Sequence, residues 1–259
     1  MSKTKPSAQA QLSLCTSTSI FANRDDLGLA AGKRAEQLLV DLLKDQDSVR
    51  VVFAAAPSQN EALAYLQSSS IIDWSRVSAF HMDEYVGLPK DSDQSFGHYL
   101  RTTIFDNVSF HDVNFLNGNA DPDAECERYS KLLNVAPIDL VLMGIGENGH
   151  IAFNDPPVAD FEDPLTVKQV ELDEACRTQQ VNDGCFAKFE DVPTHAYTLT
   201  IPTLMSARFL VCSVPGSTKS AAVSKMFLGP VSASCPASVL RLHSNCFCFF
   251  DAQSAVELI

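Results

Sequence analysis

The chain has 259 residues, of which 46% are hydrophobic, enough to build a full core in one large domain, although the length also allows two. Its net charge of −13 disfavours nucleic acid and anionic membranes as partners, because both would be repelled. No apolar run approaches membrane-spanning length, and residues 1–11 are polar without an apolar signal core, so we expect a cytoplasmic protein.

Apolar runs alternate with segments of helical periodicity along the chain. The predicted strands or extended segments are 12–16, 49–56, 77–82, 113–116, 138–143, 197–204, 208–214 and 247–250. The predicted helices are 25–44, 57–67, 93–105, 121–133 and 217–227. Residues 156–194 are polar and weakly periodic, which indicates a lid or an excursion. This alternation predicts an α/β protein with a doubly wound, mostly parallel sheet flanked by helices.

The eight cysteines show no C-x-x-C spacing, and three of them lie within apolar runs. Free thiols in a reducing compartment are therefore the expected state. Because paired ligand spacings are absent from the sequence, we expect no zinc site.

Three polar clusters directly follow predicted strands. They are Asp83 with Glu84, then Asn148 with His150 and Asp155, and finally Ser217 with Lys219. Ligands of open α/β sheets gather at the carboxyl ends of the strands. We therefore expect the three clusters to converge on one crevice.

The first two clusters are suited to proton transfer. Asp83 follows a buried strand, and burial raises the pKa of a carboxyl group, which suits a proton carrier. His150 stands in a glycine-rich loop and can exchange a proton near neutral pH if Asp155 orients its ring. The alternatives are a turn or helix-capping aspartate and a tight turn that holds a hydrogen-bonded histidine.

The third cluster belongs to the segment PGSTK (residues 215–219), which opens a predicted helix. Backbone N–H groups at such a position bind anions, and Lys219 adds a positive charge. The P-loop pattern G-x-x-x-x-G-K-[ST] is absent, and an ordinary Ser/Thr cap beside a solvated lysine is the alternative.

Two longer segments together resemble the glucosamine-6-phosphate deaminase (isomerase) family. FHMDEYVGL (80–88) is similar to the family's F-x-M-D-E-Y-V-G-L segment, and GIGENGHIAFNDP (144–156) is similar to its G-x-G-x-D/N-G-H-I-x-F-N-E-P loop. Shorter similar segments are FLNGN (115–119), residues 196–204, GSTK (216–219) and LRLH (240–243). The similarity runs in order from about residue 49 to residue 251.

The resemblance implies a Rossmann-like single domain over residues 1–259 with a lid at about 156–195, a homo-oligomer, and a reaction without metal or cofactor. A phosphosugar substrate, glucosamine 6-phosphate, would open its ring, isomerise from aldose to ketose and lose ammonia to give fructose 6-phosphate. Carried over by position, Asp83 would move the proton between C2 and C1, and His150 would handle ring opening. The residues implied to orient His150 are Asn148 and Asp155, and those implied to bind substrate are Glu84, Gly149, Ala55, Ala56, Ser58, Gln59, Lys219 and Arg177.

The phosphate half of the implied site departs from the family pattern. The family's first phosphate loop commonly has a G-G-[ST]-P core, whereas this chain has AAAPSQ (54–59), which adds Cβ atoms where the family exposes bare backbone. The family's lid arginine has no clear equivalent, and Arg177 and Lys188 are both candidates. Asp155 replaces the family's glutamate. The reaction type is therefore better supported than the identity of the substrate.

Three other functions stay open. A 6-phosphogluconolactonase-type hydrolase has a related fold, but its similar segment has arginine where this chain has Tyr85, and its histidine loop lacks the I-x-F-N run. A deaminase or isomerase of a different sugar is the second alternative. The third is a non-catalytic sugar-phosphate sensor, which would not need both Asp83 and His150.

Overall fold

A computed structural model describes residues 17–89 and 92–258. The strands are β1 (Ser17–Phe21), β2 (Val49–Phe53), β3 (Val77–His81), β4 (Asp83–Tyr85), β5 (Asp112–Asn114), β6 (Leu140–Met143), β7 (Val167–Glu171), β8 (His195–Leu199), β9 (Phe209–Val214) and β10 (Cys246–Asp251). The helices are α1 (Arg24–Asp45), α2 (Asn60–Gln67), α3 (Phe96–Leu100), α4 (Pro122–Leu133), α5 (Glu174–Asn182), α6 (Ile201–Met205) and α7 (Ser220–Leu228). Two short 3₁₀ turns, Pro57–Gln59 and Ser217–Lys219, precede α2 and α7.

Seven strands form one parallel sheet in the order β1-β10-β9-β6-β2-β3-β5, and β4, β8 and β7 form a small antiparallel sheet. Side chains of a strand point alternately to opposite faces. In β2, Val51 and Phe53 join the core that contains α1 and α2, whereas Val52 joins the core that contains α4 and α7. Both faces are therefore covered, which explains the continuous apolar runs, and the predicted doubly wound α/β fold is confirmed.

The segment predicted as extended over 197–204 is wrong in its second half, because β8 ends at Leu199 and α6 begins at Ile201. Thr200 caps this helix by accepting a hydrogen bond from the backbone N–H of Thr203. Pro202 lies in the first turn, where its missing N–H costs nothing. The first predicted strand, 12–16, lies outside the described residues.

Residues 156–195 contain more regular structure than their weak periodicity predicts. β7 pairs with β8 in the antiparallel sheet, and α5 follows with Asp173 as its N-cap. Within the described ranges, no helix combines the length and the apolar character needed to cross a membrane.

The chain changes sheets between β3 and β4. β3 ends at His81 in the parallel sheet, and β4 begins at Asp83, which lies opposite Thr198 of β8. His81 stabilises this bend because its Nε2 accepts a 2.9 Å hydrogen bond from Leu116 N, and its Nδ1 donates to Asp83 O at 2.8 Å. Burial lowers the pKa of His81 to about 4, so the ring is neutral. The bend places Asp83 at the carboxyl end of the parallel sheet.

Candidate active site

A cavity of about 300 Å³ opens at the carboxyl ends of β2, β3, β6 and β9. Its walls are the loops that follow these strands and one face of α5. The lining residues that the sequence predicted are Ala55, Ala56, Ser58, Asp83, His150 and Lys219. The three polar clusters that follow strands therefore meet at one crevice.

Asp83 is a buried carboxyl group in the wall of this cavity, with 7% of its surface exposed. Burial, and after it the negative charge of Glu84, raise the pKa of Asp83 well above its usual value. No hydrogen bond from the described residues to this carboxylate offsets the two effects. A carboxyl group whose neutral form is favoured in this way is suited to take up a proton from a substrate and to release it again.

His150 is paired with Asp155 in the loop after β6. His150 Nδ1 lies 2.8 Å from Asp155 Oδ1, and the same oxygen accepts a 2.8 Å hydrogen bond from Asn148 Nδ2. Burial alone would raise the pKa of Asp155, but the neighbouring His150 and the donated hydrogen bonds outweigh burial, so this pKa lies below its ordinary value. The carboxylate therefore stays charged and orients the imidazole, which leaves Nε2 for proton exchange.

Glycines in the loop after β6 let the His150 ring pack closely against the backbone of that loop. A Cβ atom added at Gly146 would overlap the imidazole, and the N–H of Gly146 donates to His150 O at 2.9 Å. Gly149 has a φ of 88° and closes the turn with a 3.0 Å hydrogen bond from its N–H to Gly146 O. Asn154 fastens the end of the loop to β8 by donating to Leu199 O at 2.8 Å.

Cys176 of α5 lies close to the pair formed by His150 and Asp155. One potential ligand atom from each of His150, Asp155 and Cys176 lies within 4.8 Å of the others. A zinc ion binds such nitrogen, oxygen and sulfur donors, but it would have to replace the short contact between His150 and Asp155. Burial, and after it the charge of Asp155, raise the pKa of the Cys176 thiol, so the thiol stays protonated and donates to that carboxylate.

Lys219 supplies a buried cation at the turn before α7. Its side chain lines the cavity, the residue is 7% exposed, and no carboxylate of the described chain forms an ion pair with it. Burial lowers the pKa of Lys219, while the more distant charges of Asp183 and Glu147 act in the opposite direction. A buried ammonium group without an ion-pair partner in the described chain is suited to bind an anion from solution.

Four residues implied for substrate binding do not line the cavity, and Arg177, described below, is one of them. The Glu84 carboxylate accepts backbone N–H bonds of 2.8–3.0 Å from Tyr85, Phe96 and Gly97 instead, and burial raises its pKa to about 7. The other two residues are Gly149, whose role is the turn described above, and Gln59, whose side-chain amide donates to Met143 O at 3.1 Å and to Ser58 Oγ at 3.0 Å.

Neither candidate for a lid arginine equivalent lines the cavity. Arg177 donates from Nη2 to Phe189 O at 3.0 Å and to Val192 O at 2.8 Å, and its guanidinium lies 4.1 Å from the centre of the Phe189 ring. Lys188 is also absent from the lining residues. The side chains that this segment does present to the cavity are Gln179, Gln180, Asp183 and Cys185. It therefore offers amides and a carboxylate where the family pattern has an arginine.

Arg24, the first residue of α1, lines the cavity beside the 54–59 loop and is not among the residues predicted from the sequence. Its Nε donates to Glu61 Oε1 at 2.7 Å, and its Nη2 donates to Pro57 O. These contacts join residues more than thirty positions apart, so the residues next to Arg24 do not identify its partners. The spacing of Gly28 and Gly32, one and two turns after Arg24, is the signal that could have pointed to a close approach of α1 to another element.

A doubly wound sheet with a buried carboxyl group, an oriented histidine and a buried cation at its strand ends defines an α/β enzyme suited to proton transfer on a small anionic substrate. The profile of one family, described as glucosamine-6-phosphate isomerases/6-phosphogluconolactonase, matches residues 22–248. The chain belongs to this family.

Individual relatives agree with this assignment. The chain is 37% identical over 223 residues to a glucosamine-6-phosphate deaminase of Bacillus thuringiensis (strain Al Hakam), which covers 86% of this chain and 82% of the relative. A solved structure of a monomeric glucosamine-6-phosphate deaminase superposes with a TM-score of 0.82 at 28% identity, covering 93% of this chain and 99% of the other. A 6-phosphogluconolactonase from Thermotoga maritima has a TM-score of 0.74 at 18% identity, covering 91% and 99%, and shares the fold.

Proposed function

We propose that this protein is a glucosamine-6-phosphate deaminase, which converts glucosamine 6-phosphate and water into fructose 6-phosphate and ammonia. The observation that carries the proposal is that Asp83, with a raised pKa, and His150, paired with Asp155, line one cavity. Relatives that bear this name support it. Isomerisation with deamination needs an acid–base group at each of two places, the ring oxygen and the carbons C1 and C2.

His150 acts first, on the cyclic sugar. It moves a proton between the C1 hydroxyl and the ring oxygen as the ring opens, and the charged Asp155 stabilises the imidazolium that forms. Asn148 holds Asp155 in place through its 2.8 Å hydrogen bond. Ring opening yields the aldehyde, which makes the hydrogen on C2 acidic.

Asp83 acts second, on the open chain. It takes the proton from C2 while the C1 oxygen gains a proton, which gives an enolamine. It then returns the proton to C1 while the amino group loses one, which gives a C2 imine. Water then adds to the C=N bond, and the nitrogen leaves as ammonia while the ketone of fructose 6-phosphate forms. Since no described residue hydrogen-bonds the Asp83 carboxylate, it can serve both carbons in turn.

The phosphate is bound by Lys219 and Ser58, which both line the cavity. A Cβ atom added at Gly144 would lie 3.1 Å from Ser58 Oγ and 3.1 Å from Ser213 O, so the loop after β2 and strand β9 meet at this glycine. Lys219 provides a charge-assisted hydrogen bond, and Ser58 provides a hydroxyl.

The test is an ammonia-release assay over a panel of aminosugar phosphates and the corresponding free aminosugars, with ketose phosphate measured in the same samples. We expect equal amounts of ammonia and fructose 6-phosphate from glucosamine 6-phosphate. Hydrolysis of 6-phosphogluconolactone is followed in parallel. Lactone hydrolysis without ammonia release would replace the proposal by the lactonase function.

A different aminosugar phosphate is the second candidate substrate. The alanine loop at 54–56 and the presence of Asp183 in the cavity favour it, because both change the surroundings of the phosphate. Ammonia release that is fastest with another member of the panel would establish this candidate. Binding of phosphosugars without any turnover would instead indicate a sensor.

We also propose a cytoplasmic location and a homo-oligomer. Five thiols, those of Cys126, Cys176, Cys185, Cys212 and Cys235, are free, which supports a reducing compartment. The family resemblance supports an oligomer, although one structural relative is described as monomeric. Analytical ultracentrifugation separates the two states, and a sedimenting mass equal to one chain would exclude the oligomer.

A further inference from the structure

We propose that Arg24 is a second phosphate-binding cation, which acts together with Lys219 and takes over the part that a lid arginine would play. The inference rests on the proposed function, because it assigns a residue to the phosphate end of that same cavity. Three observations support it: the close packing of α1 beside the 54–59 loop, the unused N–H donors of the Arg24 guanidinium, and the negative charge that the α5 segment places in the cavity.

The packing of α1 on α2 places Arg24 at the cavity. Residues 24, 28 and 32 are spaced by four and lie on one face of α1. A Cβ atom at Gly28 would overlap the Cβ atom of Glu61, and one at Gly32 would lie 2.8 Å from the Tyr65 ring. Only glycine permits this approach, and it brings the first turn of α1 against the turn that precedes α2.

The guanidinium of Arg24 is held in position yet keeps donors for a ligand. Nε donates to Glu61 Oε1 at 2.7 Å, and Nη2 donates one hydrogen to Pro57 O. An arginine side chain has five N–H donors, so three remain, two of them on Nη1. None of the hydrogen bonds within 17–89 and 92–258 uses Nη1. The side chain is 41% exposed and lines the cavity, so an incoming anion can reach these donors.

The chemistry of the remaining donors matches a phosphate group. A planar guanidinium binds two phosphate oxygens at once, whereas the Lys219 ammonium acts as a point charge. Arg24 bonds to the turn at Pro57–Gln59, and this turn contacts strand β9. The segment that carries Lys219 directly follows β9, and both cations line the same cavity. The alanine loop, whose Pro57 has no N–H, thus gains through Arg24 the donors that its own backbone lacks.

The negative charge of the α5 segment explains why a second cation is needed. The α5 segment contributes Asp183 to the cavity, while Arg177 of the same helix is bound to backbone carbonyls elsewhere. A phosphate dianion in the cavity is therefore repelled by the Asp183 carboxylate. Lys219 alone would face both negative charges, and Arg24 adds a second cation to the lining of the cavity.

Direct binding measurements test the inference without turnover. Glucitol 6-phosphate, which has no carbonyl and cannot react, and unphosphorylated glucitol are titrated calorimetrically against wild type, Arg24→Met and Arg24→Lys. We expect Arg24→Met to weaken glucitol 6-phosphate binding by about ten- to a hundredfold and to leave glucitol binding unchanged. The affinity of Arg24→Lys for glucitol 6-phosphate should lie between those of wild type and Arg24→Met, because lysine keeps the positive charge but cannot bind two phosphate oxygens at once.

Arg34→Met is the matched control, since Arg34 lies on the same helix with its guanidinium 3.8 Å from the Phe247 ring and outside the cavity. It should bind both ligands like wild type. Undiminished phosphosugar affinity in Arg24→Met, or equal losses for both ligands, would overturn the inference, and so would a wild type that binds neither glucitol 6-phosphate nor inorganic phosphate. Loss of phosphosugar binding in Arg24→Met, in a protein that releases no ammonia from any aminosugar phosphate, would leave Arg24 assigned and refute the deaminase.

Discussion

Replacing Asp83 by asparagine should abolish most activity and stabilise the fold at the same time. Asparagine keeps the size of the side chain but cannot accept a proton, and loss of general acid–base catalysis typically costs about 10²–10⁴ in rate. Because no described residue hydrogen-bonds the carboxylate, the substitution removes no such bond. The folded state only loses a group whose charge is disfavoured by burial.

The stability gain should depend on pH with a defined sign. The pKa of Asp83 in the folded state is raised above its ordinary value of 3.8. Its contribution to stability is therefore fully present below that value and is lost as the pH rises through the folded-state pKa. Asp83→Asn avoids this loss, so its advantage in unfolding free energy should grow from about pH 4 upward, with a limiting slope of ~1.4 kcal/mol per pH unit, and then level off.

The assay combines turnover of the physiological substrate with urea unfolding of wild type and variant between pH 4 and pH 8. Glu84, whose pKa is raised to about 7, is present in both proteins, so the difference between them reports mainly on Asp83. Asp93→Asn is the control, because the Asp93 side chain is 83% exposed and should change neither quantity. Turnover of Asp83→Asn within threefold of wild type would refute its role as proton carrier, and a pH-independent stability difference would refute the desolvation argument.

Lys219→Ala should weaken phosphosugar binding roughly ten- to a hundredfold and barely affect the unphosphorylated sugar, as judged by calorimetric titration, whereas equal losses would make Lys219 structural. His150→Gln should slow the cyclic substrate more than an open-chain analogue, and comparable losses in steady-state assays would remove its assignment to ring opening. Gly146→Ala should lower turnover by a factor similar to that of His150→Gln, because the added Cβ displaces the imidazole; near-normal turnover with a native circular dichroism spectrum would contradict this. Asp183→Asn should tighten phosphosugar binding about two- to fivefold by removing a negative charge near Lys219, and weaker binding would show that Asp183 contacts the sugar.

Local patterns were sufficient for most of the fold. Mostly apolar segments predicted six strands of the parallel sheet, because strands covered on both faces need no polar side. Apolar stripes at helical spacing predicted α1 and α2, and the opening Asp121 and Pro122 predicted α4. The errors occur where tertiary pairing or capping overrides apolar character. Residues 201–204 are helical because Thr200 and Pro202 set the helix start, and 156–195 acquires a strand only by pairing with β8.

The position of Asp83 and His150 in the cavity wall was also predictable from the sequence, because both lie in short segments that directly follow strands. The cationic residues that line the cavity could not all be predicted in this way. The sequence offers Arg177 and Lys188 as equal candidates, but neither lines the cavity. Arg24 does, because two glycines let α1 pack closely on α2 and so bring Arg24 to the turn at Pro57. A side chain reaches a cavity between elements only through how those elements pack, and that packing depends on contacts between residues far apart in sequence, which no local pattern encodes.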